Sequence, residues 1–206
     1  MKILSVSTRR KGLSAITTDE GGEFLVDTEL LAMRGLAENS QIEDIEKLLF
    51  ESDFKRAKSR ALWYLSRRDH SEKELKDKLI KGGFSPEASI KAVERMCEMG
   101  LVDDRTFAKR FFEQMVAYNH SSTKEAVYKL KQKGISIDII KELEEESEFD
   151  ESENIKLLIE RKYANRLKTE KDVEKVFAAL VRKGFSFSDV RRALKQYSEK
   201  LECEDF

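Results

Sequence analysis

The stretch "KGFS" at Lys183–Ser186 is nearly repeated as "KGIS" at Lys133–Ser136 and, with one more glycine, as "KGGFS" at Lys81–Ser85. Gly83, Gly134 and Gly184 follow one another at intervals of 51 and then 50 residues. Each copy has a task at a helix boundary: glycine takes the left-handed conformation that closes one helix, and serine accepts from the first unpaired N–H groups of the next. The apolar residue between them precedes the N-cap, where it can pack on the fourth helical residue, Phe185 on Val190 and Ile135 on Ile140. In the first copy that position is Ser89, so the pair is broken there. The stretch predicts a helix–turn–helix unit used three times.

Shifting the chain against itself extends the unit. Leu79, Leu130 and Leu180 coincide, each four residues before its glycine. Upstream, "SEKEL" at Ser71 matches "STKEA" at Ser122, both capping boxes with glutamate three residues after serine. In the third copy "TEKD" at Thr169 offers the cap three residues earlier, which predicts a helix starting one turn sooner. Before each lies another run with apolar residues at helical spacing, "FKRAKSRALWYLSRR", "RTFAKRFFEQMVAY" and "NIKLLIERKYANRL", making three helices in about 50 residues. Pro86 suits a first helical position. A chain with 38% charged residues and a single proline agrees with long helices that each expose one face.

The first 50 or so residues read differently. "KILSVS", "LSAIT" and "EFLV" predict a hairpin or three-stranded sheet, too small to stand without the helices. A short helix from about Thr28 to Arg34, closed by Gly35, follows, and Ser40 with Glu43 predicts the cap of another. The expected division is a β-rich module over 1–50 and helical repeats over 51–101, 102–150 and 151–206, the last with an acidic tail.

No apolar run approaches the roughly 18 residues of a membrane span, and "MKILSVSTRRKG" lacks a secretory core. Cys97 and Cys203 suggest no disulfide framework, so a reducing cytoplasm is the expected location. The net charge of −1 conceals a pattern. Residues 1–54 carry 6 Lys/Arg against 11 Asp/Glu, 55–141 carry 20 against 12, and 155–198 carry 12 against 5. The run "ELEEESEFDESE" from Glu142 to Glu153 has 8 acids and no base, and the tail "EKLECEDF" is acidic too. Basic helical repeats point to phosphate or an acidic protein groove, although a lysine in a last helical turn is also explained by the helix dipole.

Catalytic readings find little support. The only histidines, His70 and His120, stand before helix starts and read as capping or solvent-exposed rather than metal-binding. Asp103 and Asp104 read as an N-cap and a first-turn acid. Trp63 and Tyr64 read as part of a buried stripe. No nucleophile with its base, phosphate loop or zinc spacing is present, and neither cofactor nor metal is expected.

"RALWYLSRRDHSEKELKDKLIKGGF", "GLVDDRTFAKRF", "LKQKGISIDII", "RKY" and "FAALVRKGFSFSDVRRAL", in this order, resemble the RecX family of bacterial recombination regulators from about Ala57 to Tyr197. The resemblance implies a mostly α-helical protein of three tandem three-helix repeats in an elongated, curved rod. It further implies binding in the groove of the RecA nucleoprotein filament, with inhibition of filament growth, ATP hydrolysis and strand exchange. The N-terminal module belongs to only some members and inherits no role. Charge and place in these motifs select Arg67, Arg68, Arg110, Lys129, Lys133, Arg161, Lys162, Arg182 and Lys183 as partner-facing. Lys129 and Lys133, four residues apart, are expected on the exposed side of a helix whose apolar side carries Val127 and Leu130. The alternative is a helix-turn-helix array binding single- or double-stranded DNA, although "IDIIKELEEES" is too acidic for a major groove. An enzyme is the third reading.

Overall fold

The computed structural model describes residues 1–146 and 150–204, with side chains followed to Tyr197 apart from Gln196. The middle of the acidic junction, part of the acidic tail and the Cys203 side chain fall outside those described. The chain forms two compact units, Met1–Asp103 and Asp104–Phe206.

The first unit opens with three antiparallel strands, β1 (Ile3–Thr8), β2 (Leu13–Thr18) and β3 (Glu23–Asp27), in that order across the sheet. Ile16 pairs with Val6 on one side and Phe24 on the other. Period-two alternation turns Ile16 and Val26 to one face, where Ile3, Leu31, Ile42 and Leu48 complete a core. Leu31 comes from α1 (Thr28–Met33) and Leu48 from α2 (Ile45–Leu65). As expected, a small sheet leans on helices. Asp27 fastens it: its carboxylate accepts from Leu30 N–H at 2.9 Å as N-cap of α1 and from Lys55 Nζ at 2.5 Å, while its own N–H donates to Ser52 Oγ at 2.7 Å.

The Ser40 cap is not found. Its hydroxyl accepts from Ala37 N–H instead, and residues 39 and 40 exchange backbone hydrogen bonds with Ile3 at the sheet edge. Held there, the chain enters α2 only at Asp44, whose carboxylate accepts from Lys47 N–H at 2.9 Å. Helix α2 then runs unbroken through residue 50.

The glycine trios behave as their chemistry requires. Gly83, Gly134 and Gly184 have φ of 90°, 85° and 97°. Each closes a helix, respectively α3 (Glu72–Lys81), α6 (Thr123–Gln132) and α9 (Glu170–Arg182). Ser85, Ser136 and Ser186 then cap α4 (Pro86–Glu98), α7 (Ile137–Glu146) and α10 (Phe187–Glu204). Thr169 caps α9 one turn early, as predicted. Leu79, Leu130 and Leu180 are fully buried, each in its own cluster. Ile135 with Ile140 and Phe185 with Val190 are buried together. Where the first copy has Ser89, its hydroxyl is buried with no hydrogen-bond partner among the described residues.

Two features depart from the plain helical reading. The first helices of the second and third repeats, α5 (Asp104–Glu113) and α8 (Glu151–Leu158), end in π turns at Gln114–Tyr118 and Ile159–Tyr163. The closing bonds span five residues, Asn119 N–H to Gln114 O and Ala164 N–H to Ile159 O. The histidines also differ from expectation. His70 is buried edge-on against Tyr64, with Nδ1 3.5 Å from the Glu74 carboxylate but without a hydrogen bond to it. Burial pushes its imidazole below the ordinary histidine range, helped by Arg68 and Lys78 and opposed by Glu74. His120 sits at φ 51° and joins two repeats, as described next.

Candidate partner-binding surface

The site is built where α9 ends against the start of α6, inside the second unit. The left-handed turn at Gly184 brings the Lys183 carbonyl onto Ser122, whose hydroxyl donates to it at 2.5 Å while accepting from Glu125 N–H at 3.1 Å. One serine therefore caps its own helix and ties it to the next repeat. Glu125 lies one turn along and pairs with Lys129 at 3.0 Å. Burial acts to raise the Glu125 carboxyl. The Lys129 hydrogen bond and charge, the Lys183 charge and the Ser121 hydroxyl outweigh it and hold the group below its ordinary value.

The π turn of the third repeat faces this pair. Asn154 of α8 donates to Val116 O at 2.9 Å, and its amide oxygen lies 3.1 Å from His120 Nδ1. Arg161 can only donate, so at 3.0 Å His120 Nε2 accepts from it and Nδ1 carries the proton toward Asn154. Val116, Asn154, His120 and Arg161 thus form one relay across the joint between repeats. Two adjoining cavities, of about 430 and 410 Å³, share Glu125, Lys129 and Lys183. The first adds Arg161, Lys162 and Tyr118, and the second Lys124, Tyr128 and Arg182. Among the described residues lining the two cavities Glu125 is the only carboxylate, with Glu151 beside them accepting from Thr123 N–H at 2.6 Å, so the lining offers a positive field to an anionic surface.

Five of the residues selected from sequence, Lys129, Arg161, Lys162, Arg182 and Lys183, meet in this cleft. The other four do not line it. Arg67 and Arg68 belong to the first unit, where Arg68 forks onto Glu74 at 3.1 and 3.3 Å and also donates to Asp69 O. Arg110 is exposed on α5. Lys133 is half-buried, its ammonium 5.0 and 5.6 Å from the ring centres of Phe111 and Phe107, so its side chain covers the core of the second repeat. Sequence reasoning read Ser122 and Glu125 correctly as a capping box but did not place them, or His120, at the joint between repeats. The matching serine of the first repeat, Ser71, is equally buried. It also placed Trp63 in the core, whereas that side chain is 47% exposed. Among the described residues no group of three or more His, Cys, Asp or Glu side chains could hold a metal ion, and no helix is long and apolar enough to cross a membrane.

These features define a tandem three-helix-repeat protein carrying an N-terminal sheet. Family models for the first and third three-helix domains of RecX match residues 57–96 and 150–194. A regulatory protein RecX of Prosthecochloris aestuarii is 30% identical over 146 residues, covering 71% of this chain and 96% of its own. One of Clostridium perfringens strain SM101 is 29% identical over 197 residues, covering 90% and 91%. A crystal structure of regulatory protein RecX aligns with a TM-score of 0.62 at 25% identity, covering 95% of this chain and 98% of the other. RecX from Lactobacillus salivarius, at 23% identity and a TM-score of 0.56, shares the fold. The chain belongs to the RecX family of regulatory proteins.

Proposed function

We propose that this protein binds the RecA nucleoprotein filament in the cytoplasm and restrains its extension, ATP hydrolysis and strand exchange during recombination and DNA repair. The helical repeats, over 51–101, 102–150 and 151–206, are the binding units. The observation that carries the reading is the convergence of Lys129, Arg161, Lys162, Arg182 and Lys183 in the two adjoining cavities around Glu125. Each exposed cation contributes little alone. Several on one cleft add up against a partner whose phosphates or acidic side chains recur at short intervals.

The test adds purified protein to preformed RecA filaments on single-stranded DNA and follows ATP hydrolysis. Inhibition is expected from the parent. The pair Lys162→Glu and Arg182→Glu, both exposed positions, should relieve it without changing the melting transition. No inhibition together with no co-sedimentation would overturn the reading. Protection of one duplex sequence in footprinting, without any effect on filaments, would favour a DNA-binding helix-turn-helix array instead.

A further inference from the structure

Helix α2 presents its small residues Ala57 and Ala61, both fully buried, to the core of the first repeat. Trp63 points elsewhere. The residue is 47% exposed, which leaves part of a large apolar side chain in water. The Arg60 and Arg67 guanidiniums each stand 5.3 Å from the centre of its ring. Arg60 lies one turn before Trp63 on α2, and Arg67 follows the C-cap Ser66 just past the helix end. Several other arginines are engaged by carboxylates, among them Arg9, Arg34, Arg56, Arg68, Arg95 and Arg105. Among the described residues none pairs with Arg60 or Arg67. A guanidinium resting on a ring keeps its in-plane N–H fork free for a phosphate. The cluster therefore gathers two anion donors around a partly exposed indole.

We propose that Arg60, Trp63 and Arg67 form a binding site for single-stranded nucleic acid, with the indole contacting an unpaired base and the guanidiniums taking the flanking phosphates. An acidic protein segment would satisfy the arginines but leave the indole without purpose. A duplex would offer phosphates while keeping its base faces stacked away from the ring. The site lies in the first unit and requires no RecA. It extends the filament reading to the strand itself, yet each can fail alone.

Trp63 is the only tryptophan, so intrinsic fluorescence reports this site directly. The full chain is titrated at low salt with a thymidine oligonucleotide, with an abasic oligonucleotide of equal length, and with polyglutamate. Saturable quenching is expected with the thymidine strand and not with the other two. Trp63→Ala should weaken binding, measured by anisotropy of a labelled strand, by about 5- to 150-fold, the range found when a base–aromatic stack is removed. Trp63→Phe should keep much of the affinity. Arg60→Ala and Arg67→Ala should each lower the slope of log affinity against log salt by about 0.7. Circular dichroism confirms that the variants fold. Equal quenching by the abasic strand, quenching by polyglutamate alone, or unchanged affinity of folded Trp63→Ala would each overturn the proposal. If Trp63→Ala loses the strand but still inhibits RecA filaments, both readings stand. If it keeps the strand and filaments are inhibited, only the present one falls.

Discussion

Gly184 and Gly83 occupy the same place in two copies of one motif, yet replacing them with alanine should have unequal effects. Both need positive φ, 97° and 90°, which costs a residue with a Cβ about 1–2 kcal/mol. At Gly83 a Cβ would meet nothing within 4 Å, so strain is the whole effect. At Gly184 it would lie 2.7 Å from Ser122 Oγ and 2.9 Å from Lys124 Cβ. Neither neighbour is a flexible tip. Ser122 Oγ is buried between the Lys183 carbonyl and Glu125 N–H, and Lys124 Cβ rides on the first turn of α6. If the serine rotates away, α6 loses its N-cap, worth about 1 kcal/mol, and the bond to Lys183 O, worth about another 1 kcal/mol. Gly184→Ala should therefore cost about 3–4 kcal/mol against about 1–2 for Gly83→Ala. In urea melts followed by circular dichroism, with a typical slope of about 2 kcal/mol per molar, the extra 2 kcal/mol appears as a midpoint about 1 M lower. Ser122→Ala should be less harmful in the Gly184→Ala background than in the parent, since it removes one of the colliding atoms. A Gly184→Ala protein no less stable than Gly83→Ala would refute the claim that Ser122 locks the two repeats.

The double substitution Lys129→Glu and Lys133→Glu should cost about 1–2 kcal/mol in the same melts, because Lys133 lies over two core rings and Lys129 neutralises Glu125. A melting curve identical to the parent's would show that Lys133 is a plain solvent-facing lysine. The pH dependence of the first unit should carry the mark of His70. Its folded pKa is lowered, so the stability it confers is complete above the ordinary value of 6.5 and is lost as pH falls from there toward the folded value. Denaturation across pH 5 to 7 should show that decline in the parent and a flatter profile in His70→Phe; equal slopes would rule out His70 as the cause.

Most of the fold was legible because its punctuation is local chemistry. A left-handed glycine followed by a capping serine needs only four residues to declare itself, and three copies fix the register of everything between them. What stayed hidden was decided at a distance. Ser40 resembles a cap, but the sheet edge holds its backbone against Ile3, and Asp44 becomes the first residue able to cap the helix. The π turns insert one residue per turn into helices whose apolar spacing remains close to 3.6, too small a change for periodicity to register. His70 and His120 occupy nearly matching places, yet one is enclosed by an aromatic ring and the other bridges repeats. Their surroundings come from other helices.

The partner surface was harder to read for a related reason. Counting charge along the chain located basic repeats, but a cation's usefulness depends on what it already touches. Arg68 and Lys133 look in the sequence like Arg67 and Lys129. In the folded chain Arg68 is occupied by Glu74, Lys133 covers aromatic rings, and Lys129 pairs with Glu125 in a cleft that Lys183 also lines. The same sorting identifies Arg60, which opens the first family motif but was not selected from it, because no carboxylate among the described residues engages it and an exposed indole lies beside it. Intramolecular partners thus divide one basic composition into cations that hold the repeats together and cations left to meet something else. That division is a property of the packed helices: in the second unit it follows only once the repeat joint at Ser122 and Lys183 has formed, and in the first once α3 brings Glu74 to Arg68.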